Sequence, residues 1–448
     1  MPANIAIIGA GSAVFSLSMV RDLCLTPSLR GSRATFMDID QGRLDSIHAL
    51  AARYAAEVGI ALDLHKTIDR REALEGADIV VNAALAAGHH RLRAGWDVAR
   101  PLGYRWGGSL HIMHDEAYWI NFYQLRLFEQ VIEDVLAICP HAWYIQVANP
   151  VQAGITYLGR KYPQAKIVGL CHGSNEVYAL ARTIGLDPDQ ISFEAPGVNH
   201  FIWLTKLFHR GQDAMPLLDR WIAEEAERAW AAGTGYGPLN PKKVDLYQRV
   251  GAFPVGDLAG DGGGSWGWWY HLDDETERRW KQNPWRFWNG FFTGGEQEVA
   301  EIARIAADPS ARVTERFPPE PSHESIIPMV EALVCDTERV IISNIPNDGE
   351  LVPGIPRGFQ VEVPALVSRR GIQGIRTGPL PPAALAYTLR DCVVPTELEL
   401  AAYERGSRKL LLELVMMDPW TRTREQAERL LDAIAALPFH QELREHYR

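Results

Sequence analysis

Apolar positions along this chain fall into two regimes. Through about residue 195, short apolar runs alternate with stretches of helical spacing. Residues 4–8 (NIAII) predict a strand, Gly9-Ala10-Gly11-Ser12 a turn, and VFSLSMVRDLCL a helix. ATFMDID (34–40) predicts a second strand ending in acids, and RLDSIHALAARYAAEVG an amphipathic helix. EGADIVVNAALAAG adds a strand after a short helix, residues 116–139 a long helix, and AWYIQVANP and AKIVGLCHG two more buried strands. Strands alternating with helices predict an α/β fold, with a Rossmann-type, doubly wound parallel sheet over residues 1–195.

Beyond residue 195 the alternation breaks. ISFEAPGVNHFIWLTKLFHRG predicts a hairpin, and LLDRWIAEEAERAWAAG a helix. Residues 251–290 are rich in Gly and Trp, VIISNIPNDG and GFQVEVPALVSRRGIQGI predict a later sheet, and 396–448 are largely helical. This half, 196–448, is expected to be an α+β domain for substrate, metal and oligomer contacts.

A length of 448 residues argues for two lobes rather than one core. The net charge of −11 speaks against nucleic acid or an anionic membrane as the main partner. Five cysteines, few and odd in number, fit free thiols in a reducing compartment better than a disulfide framework. Residues 1–20 show neither a basic n-region nor a cleavage site, and no apolar run reaches membrane-spanning length, so a cytoplasmic protein is expected.

Two clusters carry candidate chemistry. Gly9 and Gly11 fit the start of a dinucleotide loop, whose third glycine position holds Val14. Glycines let the backbone approach a pyrophosphate at a helix N-terminus. Ser12 and Phe15 complete the candidate cofactor-binding residues of this loop. Asp38, at the end of the second strand, is placed to accept from a ribose 2′-OH, which favours NAD over NADP; Asp40 is an alternative. The second cluster is Cys171, at the end of a strand-like run, with His200 29 residues later. A thiolate and an imidazole suit a first-row divalent metal and leave positions open for water and substrate. A cysteine ending a strand reads equally well as core.

Taken in order, GAGSAVF, ANP (148–150), GLCHG (169–173), GVNHFIWL (197–204) and FPVGD (253–257) resemble glycoside hydrolase family 4, and the resemblance runs on to the C-terminal LPFHQELREHYR. This family is an exception to two-carboxylate glycoside hydrolysis. The resemblance implies hydrolysis by NAD-dependent oxidation at C3, deprotonation at C2, elimination, water addition and re-reduction. A divalent metal, usually Mn²⁺, serves as Lewis acid. It implies Cys171 and His200 as metal ligands, His172 as proton donor to the leaving oxygen and Asn149 as a substrate contact. Asp257 is implied as the C2 base, with Tyr247 and Tyr270 as rivals. Asp115 is implied as a contact to sugar hydroxyls, with His114 or Glu116 as alternatives.

Members acting on 6-phosphorylated sugars typically carry Asp after the metal-binding Cys, where this chain has His172. The chain thus looks like the branch acting on non-phosphorylated α-glucosides, α-glucuronides or α-galacturonides, and a homodimer or homotetramer is expected. The run 266–280 (WGWWYHLDDETERRW) resembles the glucosidase and glucuronidase side; its tryptophans could stack on sugars or fill a core. A uronate would need a cation such as Arg91, Arg93, Arg105 or Arg286. His111 and His114 near Asp115 suggest a second metal only weakly. The alternative reading is a 2-hydroxyacid dehydrogenase of lactate/malate type, which shares this fold but has no use for Cys171 with His200.

Overall fold

Apolar runs in the first half pair side by side as parallel strands. The computed structural model describes residues 2–105, 117–260 and 266–448; for residues 13, 14, 89, 257, 258, 291 and 296 it describes the backbone alone. Strands β1 (Asn4–Ile8), β2 (Arg33–Met37), β3 (Asp63–Thr67), β4 (Ile79–Asn82), β5 (Trp143–Gln146) and β6 (Lys166–Gly169) form a parallel sheet in the order β3-β2-β1-β4-β5-β6. This is the Rossmann order, with its switch point between β1 and β4. Both faces are covered: Ile5 and Ile7 join one apolar core, Ala6 and Ile8 the other. Edge strand β3, DLHKT, is largely exposed and carries no apolar signature.

The strands predicted as a later sheet join the parallel sheet of the first half. Strands β13 (Arg339–Pro346) and β14 (Gln360–Ser368) pair antiparallel, and β13 joins the parallel sheet through Asn344 opposite Gly169 of β6. Strands β8 (Gly197–Val198), β9 (Phe201–Leu204) and β12 (Phe253–Val255) extend it further, and β15 (Gly371–Gly374) pairs with β14. One twelve-stranded sheet therefore crosses both halves of the chain.

The expected hairpin at 191–211 is two nested pairings in different sheets. The outer pair, β7 (Ile191–Glu194) with β10 (Lys206–His209), forms a small sheet with β11 (Gln212–Asp213). The inner turn between β8 and β9 belongs to the main sheet. The C-terminal helices return to the first half. Glu399 accepts from Asn121 Nδ2 at 3.0 Å, and the Tyr123 hydroxyl lies 2.9 Å from His440 Nδ1. Trp266 is core rather than a sugar platform: it packs edge-on against Phe201 and Trp203, and its Nε1 donates to Asp391 at 2.9 Å. Trp268 is half-exposed.

Candidate active site

Cys171 and His172 follow β6 at the C-terminal end of the parallel strands, where ligands bind in open α/β sheets. His200 occupies the turn between β8 and β9 with φ of 60°. A left-handed conformation costs a non-glycine residue about 1–2 kcal/mol and persists only where its surroundings hold it. The turn brings the His200 Nε2 to 2.9 Å from the Cys171 Sγ. Two donors at ordinary bond lengths from a small divalent ion stand about 3.1 Å apart at a right angle and about 3.6 Å apart in a tetrahedron. The pair thus fits adjacent positions of an octahedral site with a slight opening. Among the described residues no group of three His, Cys, Asp or Glu side chains gathers in metal-binding range. An ion held here would keep open positions for water or substrate.

Behind His200 lies Glu362 of β14, fully buried. Asn199 Nδ2 donates to its Oε2 at 3.2 Å, and the His200 backbone N–H also favours the carboxylate. Burial pushes this carboxyl up to about 7, against the opposing pull of His200. Neither Glu362 nor this arrangement was among the sequence candidates. A glutamate between Val361 and Val363, in a strand buried on both faces, was the available signal.

Cys171, His172, His200 and Asn149 line one cavity of about 150 Å³, together with Phe15 from the glycine loop. Asn149 Oδ1 makes no hydrogen bond among the described residues and is left as an acceptor. The His172 side chain is 68% exposed, with Nδ1 4.0 Å from Glu324 Oε1. His323 and Glu324 form part of the wall and were missed by sequence reasoning. Their segment is held to the helix Ala13–Leu25 by the Ser322 N–H, which donates to Asp22 at 2.7 Å, a contact that periodicity does not reveal.

Asp257 lies in the turn that follows strand β12. β12 pairs antiparallel with β9 so that Phe253 faces Leu204 and Val255 faces Ile202. The pairing ends at Val255, and the turn Gly256–Ala259, which carries Asp257, follows directly. This turn packs on the loop after Cys171-His172, since a Cβ built on Gly256 would lie 3.1 Å from the Gly173 carbonyl oxygen. The two tyrosine rivals are engaged elsewhere. The Tyr247 hydroxyl donates to Asp219 at 2.8 Å, and that of Tyr270 bonds Asp245 and accepts from Arg249 Nη2 at 2.8 Å. Burial, then the carboxylate partner, raises both phenols above their ordinary range. Asp115, with His111, His114 and Glu116, lies outside the described residues.

The glycine loop fits a dinucleotide. Gly9 takes φ of 81°, and a Cβ there would lie 2.4 Å from the Ala84 Cα. The Gly11 N–H donates to Asp38 Oδ2 at 2.8 Å, which sets that carboxylate beside the loop. Asp40, the alternative acid, caps the helix Gln41–Glu57 by accepting from the Arg43 N–H at 3.0 Å. Ser12 precedes the helix Ala13–Leu25 without a side-chain cap bond, so first-turn amides face the loop. Ile39, beside Asp38, is 88% exposed, an apolar face suited to a base.

The family 4 glycosyl hydrolase model matches residues 4–185, and the model of that family's C-terminal domain matches residues 195–421. The chain belongs to glycoside hydrolase family 4. Among its relatives, an α-glucosidase of Erwinia rhapontici is 24% identical, over 93% of this chain and 94% of its own length. An α-galacturonidase of Lachnoclostridium phytofermentans is also 24% identical, over 96% and 94%. A 6-phospho-α-glucosidase from gut microorganisms, solved with NAD and Mn²⁺, superposes with a TM-score of 0.78. It is 19% identical, and the match spans 97% of this chain and 98% of that one. Family membership sets aside the 2-hydroxyacid dehydrogenase alternative.

Of the arginines considered for a uronate in this family 4 enzyme, Arg105 binds Asp274 and Glu277, at 2.5 and 2.8 Å. Arg91 lies over the Tyr123 and Phe439 rings, and Arg93 over Phe292.

Proposed function

We propose that this family 4 enzyme is an NAD- and divalent-metal-dependent α-glycosidase acting on non-phosphorylated α-glucosides or α-uronides. The observation that carries this reading is the 2.9 Å approach of Cys171 Sγ and His200 Nε2 in one cavity with Asn149, His172 and Phe15 of the glycine loop.

NAD supplies reversible hydride abstraction at C3, and a divalent ion, Mn²⁺ in the first instance, supplies Lewis-acid stabilisation of the oxygens at C2 and C3. Gly9, Gly11, Ser12 and Phe15 hold the dinucleotide, and Asp38 accepts from its ribose. Cys171 and His200 hold the ion. Asn149 Oδ1 accepts from a sugar hydroxyl, and Asp115 is assigned the same kind of contact. Asp257 takes the C2 proton, and His172, open to the cavity, gives a proton to the departing oxygen. Residues 1–195 form the NAD-binding half, which also brings Asn149, Cys171 and His172 to the site, and 196–448 the substrate, metal and oligomerisation half, in a cytoplasmic homodimer or homotetramer.

Support for a non-phosphorylated substrate comes from His172, which stands where 6-phosphosugar members carry Asp. The second reading, a 6-phosphorylated glycoside, is favoured by the fold of the 6-phospho-α-glucosidase.

The decisive assay compares p-nitrophenyl α-glucoside, α-glucuronide, α-galacturonide and α-glucoside 6-phosphate, with and without NAD and Mn²⁺. Hydrolysis that needs both, gives no net change at 340 nm and carries solvent deuterium into C2 is the expected result. Full activity without NAD and metal would refute the mechanism, and preference for the 6-phosphate would refute the substrate class.

A further inference from the structure

Two consecutive lysines in the helix Pro241–Val250, Lys242 and Lys243, are buried. Lys242 is directed to the Trp266 carbonyl and lies 2.9 Å from His271 Nε2. The Lys243 ammonium, on a side chain 1% exposed, meets both oxygens of Glu176 at 2.5 Å. It also donates to the Gly256 carbonyl at 2.8 Å. Glu176 Oε2 in turn accepts from the Gly256 N–H at 2.5 Å. Both backbone groups of one glycine are thus gripped by the two halves of one ion pair.

The ends of this grip are informative. Glu176 opens the helix Glu176–Thr183, directly after the short turn Gly173–Asn175 that follows His172. Gly256 immediately precedes Asp257. It takes φ of 68° and packs against Gly173, leaving no room for a Cβ without displacing that backbone. The helix holding Lys243 also reaches the far end of the same turn, where Asn240 Nδ2 lies 3.5 Å from the Ala259 carbonyl. The turn Gly256–Ala259 is therefore tied at both ends, and one tie runs straight to the segment bearing Cys171 and His172.

We infer that Glu176 and Lys243 are positioning residues that fix the Asp257 turn against the Cys171-His172 loop, and so set the base at its distance from the C2 proton. This rests on the proposed function. With its lysine 1% and its glutamate 23% exposed, this ion pair is a poor device for stability alone, because neutral groups of similar volume replace desolvated pairs at little cost. It is a directional device, and placement errors near 1 Å cost about a hundredfold in rate.

The test uses the full-length enzyme and two variants. K243M removes the ammonium that faces Glu176 and is expected to melt earlier. The double variant K243M/E176Q removes both charges, keeps an acceptor for the Gly256 N–H, and is expected to melt near the wild type and to bind Mn²⁺ and NAD with wild-type affinity by calorimetry. Its kcat is nevertheless expected to fall about 10–100-fold. Its isotope effect with C2-deuterated substrate should rise above the wild-type value, because proton removal becomes slower. Wild-type kcat and isotope effect in the folded double variant would overturn the inference. So would an equal loss of Mn²⁺ affinity, which would assign the pair to the metal loop as a whole. If the double variant fails to fold, the pair is a structural staple and the inference falls. A wild-type enzyme that exchanges no C2 proton would instead overturn the proposed function, so the two failures are distinct.

Discussion

Glu362→Gln is the substitution that best separates a metal-supporting role from a packing role. The carboxylate lies fully buried behind the Asn199-His200 step and accepts from Asn199 Nδ2 at 3.2 Å. A hydrogen bond to a charged acceptor contributes about 1.5–3 kcal/mol, and one to a neutral acceptor about 0.5–1.5 kcal/mol, so the isosteric amide gives up about 1–1.5 kcal/mol. That is comparable with the cost of about 1–2 kcal/mol for holding His200 in the left-handed region. The imidazole is then no longer confined to the conformation that faces Cys171. A loss of about 1.4 kcal/mol is a tenfold weaker Mn²⁺ Kd, the lower end of the 10–100-fold range for groups that orient metal ligands. The measurement is a calorimetric titration of metal-free enzyme at pH 8, above the value of about 7 to which burial pushes this carboxyl. At pH 6 the wild-type carboxyl is largely protonated before metal binds, so the gap between wild type and variant should narrow. A variant that melts earlier yet binds Mn²⁺ with wild-type affinity at pH 8 would refute the argument and leave Glu362 a core residue.

Other substitutions probe the remaining parts. In Gly11→Ala the new Cβ would lie 2.6 Å from Asp38 Oδ2, so NAD affinity should drop at least about tenfold by fluorescence titration, with little change in Tm. His172→Ala should slow alkyl or sugar leaving groups by about 10²–10⁴-fold while sparing p-nitrophenyl glycosides, whose leaving group needs no proton; equal losses on both would remove His172 as the donor. Asp418 is buried, accepts from the Trp420 N–H at 2.8 Å, and is pushed up to about 7 by desolvation. A raised folded value means that the protonated form is the stabilised one. Stability from this group is present below about pH 4 and is lost as pH rises through about 7, by up to about 4 kcal/mol. Asp418→Asn should therefore melt higher than the wild type at pH 8 and close to it at pH 4.5, and equal shifts at both pH values would contradict this.

What the sequence made legible divides along a physical line. β1, β4, β5 and β6 are buried on one or both faces, so hydrophobic runs marked them, and the glycine loop was visible because Gly9 needs a positive φ. β3 went unread because an exposed edge strand needs no apolar pattern. The joining of β13 to β6 through a single facing pair is a non-local register that no periodicity encodes. The same division runs through the site. Cys171 and His200 stood out because their residue types carry chemistry wherever they lie. Glu176 and Lys243 did not, because a lysine in the helix Pro241–Val250 and a glutamate opening another helix are ordinary surface choices until the fold buries the lysine against the glutamate. Residues that touch reacting atoms are constrained in type, and type is written in the sequence. Residues that place them are constrained in mutual position, which appears only once β12, β9 and the Cys171-His172 loop are seen side by side.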